Sequence, residues 1–123
     1  MELIIPDWLA HYRRNIEFVQ QLGQSFGFEP YFVFQPFGVT DPDNPFLTEN
    51  HFSSTGAVTA EQFVAAAAAA IGAGELAALD CHNVLAEQDS TYMYVDATHY
   101  SPQANAVLAG CILAGIRAAA PTD

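Results

Sequence analysis

Tyr31-Phe32-Val33-Phe34-Gln35-Pro36 is the stretch on which the fold turns. Its first four residues are aromatic or β-branched, and they do not alternate with polar ones. A strand covered on both faces has that composition. Pro36 lacks the N–H a central strand would need, so the strand ends there. Upstream, Asp7 can cap a helix over residues 7–26. Trp8, Tyr12, Ile16, Val19 and Phe26, with Leu22 alongside, mark one face at helical period, and Gln20, Gln21 and Gln24 take the wet side. Gly27 follows, suited to a left-handed stop. A helix leading into a doubly covered strand is α/β grammar, and the expected class is α/β with a parallel sheet.

Downstream, residues 37–57 read as loop, punctuated by Gly38, Pro42, Asn44, Pro45 and Gly56. A lid over a cleft and a partly disordered segment are equal readings of so long a loop. Thr59 and Gln62 then form a capping box, with Val58 and Phe63 at staple positions. The helix they start passes through alanines at 65–70, which favour helix but bury little area. Gly72 and Gly74 weaken its far end, and a short helical turn is expected over residues 80–87. Thr91-Tyr92-Met93-Tyr94-Val95 is a second β-like run. Ser101 and Pro102 open a last helix whose inward face is Ala104, Val107, Leu108, Cys111, Ile112 and Gly115, with Arg117 in its last turns. Two strands do not make a sheet that closes a doubly covered core. The chain therefore reads as part of a fold, completed by a partner chain or an N-terminal half.

Composition narrows the partners. Fourteen acidic residues face Arg13, Arg14 and Arg117, there is no Lys, and the formal net charge is -11. Such a chain repels phosphate backbones and anionic lipid, so nucleic acid is excluded as a partner. Apolar residues make up 51% of the chain, enough for a packed domain. The first residues lack a basic region and an apolar core, so no signal peptide is expected, and residues 62–73 are too short to span a bilayer. The reading is a soluble chain of unknown compartment, whose complete parent can still be exported. Cys81 and Cys111 are too few for a disulfide scaffold; one bridge is open to them, but their apolar surroundings favour two buried thiols.

Asp96-Ala97-Thr98-His99-Tyr100-Ser101-Pro102 carries the candidate chemistry. An Asp three residues before a His can fix the imidazole tautomer and leave the other nitrogen for a substrate proton. The plainer reading is an Asp that caps a turn beside a surface His. His11, His51 and His82 offer less. Asp80, Cys81 and His82 are adjacent and point in different directions, so no metal site is expected. No phosphate-binding loop is present, and no cofactor is expected. Gln35 either lines a cleft floor at the strand end or is a structural amide.

The block from Tyr94 to Pro102, followed by Asn105, resembles the SGNH (GDSL-like) hydrolases, which set a catalytic Asp and His three apart before a C-terminal helix. The Gln35-Pro36 strand end and the order of elements over residues 7–116 are similar too; Ala104 stands where many members have Gly. The resemblance implies a partial three-layer α/β/α, flavodoxin-like fold, with residues 1–123 as the C-terminal portion of an esterase domain. It implies catalytic roles for His99, as base, and for Asp96, as its orienting partner. The substrate would be an ester or an acetylated small molecule or glycan. The family's Gly-Asp-Ser nucleophile block and its oxyanion Gly and Asn are absent, and Ser53, Ser54 and Ser90 lack that context. The expectation is thus a serine ester hydrolase fragment, inactive alone. The alternative is a non-catalytic α/β module that works by association, including self-association.

Overall fold

A computed structural model describes residues 4–38, 60–86, 88, 93–96 and 99–120. Its elements run α1 (Ile4–Phe26), β1 (Val33–Phe34), α2 (Ala60–Gly72), β2 (Leu79–Asp80) and α3 (Pro102–Ala119). Helix accounts for 61% of the described residues, and the sheet has two strands and does not close. This corrects the expected three-layer α/β/α, flavodoxin-like fold. Strands of two residues bury too little to carry a layer of helices on each face.

The two short strands pair side by side. Leu79 N–H donates to Phe32 O at 2.7 Å and Cys81 N–H donates to Phe34 O at 3.0 Å. The partners advance together, as parallel strands do. The second strand is not the expected one. Leu79–Asp80 is too short to show any periodicity. Of the run at 91–95, residues 91 and 92 lie outside the described residues, and Tyr94 makes an isolated antiparallel bridge to Tyr100. The helical turn expected at 80–87 is a chain of tight turns, with Val84 N–H bonded to Cys81 O and Ala86 N–H to Asn83 O. The loop reading of 37–57 falls largely outside the described residues, as do Val58 and Thr59 of the capping box.

The chain divides into two compact units, Met1–Phe32 with Ser54–Leu79, and Val33–Ser53 with Asp80–Asp123. In the first unit, Ile16, Ala70 and Leu76 form the core, flanked by Leu9, Tyr12, Phe32 and Ile71. Trp8 meets Phe63 edge-on at 3.8 Å between ring centroids. α1 starts at Ile4, earlier than the Asp7 cap implied; Asp7 lies in its first turn, where a carboxylate favours the helix dipole. The expected face is buried or half-buried from Trp8 through Leu22, but Phe26 is 76% exposed. The helix stops there: Gly23 O accepts N–H bonds from Gly27 at 2.8 Å and Phe28 at 3.0 Å, and Gly27 takes φ +74°.

In the second unit, Leu85, Met93, Tyr94 and Ala104 form the core, with Val84, Tyr100 and Val107 against it. Ser101 caps α3, its side chain accepting the Ala104 N–H at 3.2 Å, and Pro102 opens the helix as expected. Cys81 and Cys111 are joined by a disulfide, with Cα atoms 6.1 Å apart. The expectation of two thiols is corrected, because the end of β2 and the middle of α3 bring the two residues within bridging distance. A cross-link over a separation of 30 residues contributes about 3 to 4 kcal/mol in the loop-entropy account. That exceeds the burial of one Leu side chain, roughly 1.5 to 3 kcal/mol.

Candidate functional site: two aspartate–histidine pairs

Asp96 and His99 do come together. The backbone places them. Tyr94 and Tyr100 form a bridge, Val95 N–H donates to His99 O at 2.9 Å, and Ser101 N–H donates to Met93 O at 3.0 Å. This narrow hairpin turns Asp96 back on itself. Asp96 Oδ1 accepts the His99 backbone N–H at 2.8 Å, and Oδ2 lies 2.6 Å from His99 Nδ1. The carboxylate thus holds both the backbone and the ring of the same residue. The site is open to solvent, with the His99 side chain 75% exposed. Tyr100 ties the hairpin to the residues after β1, its hydroxyl donating to Pro36 O at 2.5 Å. Burial, and secondly the neighbouring Tyr94, push the Tyr100 phenol up to about 12.

A second pair stands at the end of β2. His82 Nδ1 lies 2.5 Å from Asp80 Oδ1, which also accepts the His82 backbone N–H at 3.2 Å. The His82 ring packs on Phe34, with centroids 5.6 Å apart, and is less exposed than His99. Their closeness along the chain conceals the contact in the sequence. The usable signal was their spacing of two, since alternate residues of an extended segment share a face. Cys81, between them, faces the other way and reaches α3.

Neither pair has the other parts of a hydrolytic site. The described serines are Ser25, which donates to Gln21 O on α1, and Ser101, which caps α3. Ser53, Ser54 and Ser90 lie outside the described residues, as does His51. Among the described residues, no group of three or more His, Cys, Asp or Glu side chains could hold a metal ion. Gln35, a candidate for a cleft floor, is exposed. An open depression of about 680 Å³ lies by the end of α1, lined by Gln20, Gly23, Gln24, Phe28 and Glu29 among others. It holds no His, Cys or Ser, so it offers no nucleophile or imidazole.

No family model, curated protein or solved structure matches this chain. The resemblance to SGNH hydrolases is therefore corrected, and with it the reading of an esterase or other serine ester hydrolase fragment. No catalytic triad is assembled among the described residues, and the helix-rich fold lacks the extensive parallel sheet of that family. Asp-x-x-His is also a self-contained hairpin device, and a short motif of that kind arises without a common fold. No helix of the described residues is long and apolar enough to cross a membrane.

Proposed function

We propose that the chain is an association module that pairs with a second copy of itself through the outer face of α3. The observation that supports this reading is that α3 is apolar on its outer side as well as its inner one. Ala104 and Leu108 are buried, while Ala106, Ala109, Gly110, Leu113 and Ala114 are exposed, Leu113 by 52%. The polar exposed residues of the helix are Gln103, Asn105 and Arg117, and the apolar surface between them is broad enough to call for cover.

Charge favours a second copy at this face. The chain carries a net charge of -11, yet no Asp or Glu occurs at residues 97–122. The exposed Phe18 and Phe26 of α1 are less suited, because Glu17 and Glu29 lie near them in sequence. Two copies approaching through α3 therefore keep their acidic surfaces apart. The small residues let the helix backbones come close. One helix face is a small interface, below the usual stable size, so the affinity is on the order of micromolar or weaker.

In this reading the Asp96–His99 pair fixes the hairpin that delivers Ser101 as the α3 cap. Sedimentation equilibrium over a concentration series at two ionic strengths tests the proposal. A monomer–dimer equilibrium that tightens as salt screens the like charges is expected. A monomer throughout the series, at both ionic strengths, contradicts it.

A further inference from the structure

The Cys81–Cys111 bridge is the one cross-link of the chain, and its two ends differ in access. Cys81 is 2% exposed, and both its backbone groups are engaged: its N–H donates to Phe34 O at 3.0 Å and its O accepts the Val84 N–H at 3.2 Å. Cys111 is half-buried on α3. Position along the helix adds a consequence. The buried residues of α3, Ala104 and Leu108, both precede Cys111. Beyond it Leu113, Ala114 and Arg117 are exposed, and Ile112, Gly115 and Ile116 are half-buried. The bridge is thus the strongest described tie on the later turns of α3.

We propose that Cys111 is a site of thiol exchange for small anionic thiols, and that exchange there releases the later turns of α3. The reactive sulfur is selected by access. An anionic thiol is repelled by most of this acidic chain. It meets no carboxylate along residues 97–122 and has Arg117 further along the same helix, while Asp80, whose backbone O lies 3.9 Å from Cys111 Sγ, has its carboxylate engaged by His82. In the first step a thiolate attacks Cys111 Sγ. A sulfur–sulfur bond forms between the thiol and Cys111, the bond to Cys81 breaks, and Cys81 leaves with the electron pair and takes a proton from water. In the second step another thiolate attacks the small-thiol sulfur of the mixed disulfide. The small disulfide departs, and Cys111 is left as a thiolate. Two thiols are oxidised and the protein bridge is reduced.

The test uses the full chain and reduced glutathione. After brief exposure and acid quench, cleavage after acidic residues separates the two cysteines, since Asp80 and Glu87 bracket Cys81 and Asp96 precede Cys111 on its own peptide. The glutathione adduct is expected on the Cys111 peptide in excess of about tenfold over the Cys81 peptide. Equal labelling, labelling at Cys81, or an isolated chain that already holds two free thiols overturns the proposal. Hydrogen exchange with and without dithiothreitol reads the release. Residues 112–119 are expected to lose protection while α1 keeps its own; unchanged protection of 112–119 overturns the release. Cys81→Ser with Cys111→Ser is expected to show the released pattern without reductant. If that variant does not fold, the adduct mapping on the natural chain still decides.

Discussion

At Gly23 the backbone leaves no room for a side chain. A Cβ there would lie 2.5 Å from Phe28 O and 3.0 Å from Pro30 Cδ, and the first of these is backbone that cannot swing aside. Gly23→Ala is expected to cost about 1 to 3 kcal/mol in urea unfolding. Gly72→Ala, with nothing within 4 Å of its Cβ, is the control. It should be neutral, or stabilise the end of α2 by up to about 1 kcal/mol. Equal effects from the two changes would contradict the packing at the α1 stop. Asp96 and His99 give a second contrast. Asp96→Ala removes the acceptor of two bonds, whereas His99→Ala keeps the backbone bond to the carboxylate. Asp96→Ala is therefore expected to lower the thermal midpoint more, and the reverse order would exclude the carboxylate as the hairpin lock. Tyr100 supplies a pH signature. Its phenol is raised from 10.0 to about 12, so the protonated form is favoured in the folded state. That contribution is complete below the ordinary tyrosine value and is lost as pH climbs from 10.0 towards about 12. Tyr100→Phe should remove this alkaline loss from a series of urea midpoints, and an unchanged profile would count against the burial of the Tyr100 phenol.

At the scale of elements, the helices were the legible part of the sequence. Trp8, Tyr12 and Ile16 repeat at helical spacing because each turn must meet α2, and Ser101-Pro102 marks a helix start by local chemistry alone. Ser101→Ala is accordingly expected to destabilise the protein by about 1 kcal/mol, and denaturant unfolding measures it; no change would show that the cap bond to Ala104 carries nothing. The strands were less legible. Tyr31-Phe32-Val33-Phe34 reads as four residues of strand, yet pairing is confined to Val33–Phe34, since a two-residue partner at Leu79–Asp80 offers no more ladder. Nothing in Leu79-Asp80 distinguishes it from a turn. The Asp96–His99 contact was legible because it is local. The Asp80–His82 contact was missed because it depends on extended backbone that the sequence reading took for helix. The bridge between Cys81 and Cys111 was hidden for a different reason: it joins segments whose meeting is set by tertiary packing, which neither cysteine count nor spacing reports.

For the whole molecule, the distribution of charge matters more than its sum. Fourteen acidic residues lie outside residues 97–122, or follow them at Asp123, and α3 runs through the gap. The same carboxylate-free helix, whose one charge is Arg117, carries the exposed Leu113 and the small residues beside it. The inward face of this helix is legible in the sequence but its outer face is not, because small residues such as Ala106, Ala109 and Gly110 carry no signal of a surface that needs cover. The outer face of α3 as a self-association surface is tested most directly by sedimentation equilibrium of two single charge insertions, Leu113→Glu on α3 and Phe18→Glu on α1. Both residues are apolar and more than half exposed, so neither change disturbs a core. Loss of the dimer in Leu113→Glu, with the dimer kept in Phe18→Glu, is the predicted result. A dimer that survives Leu113→Glu, or that Phe18→Glu alone dissolves, would contradict it.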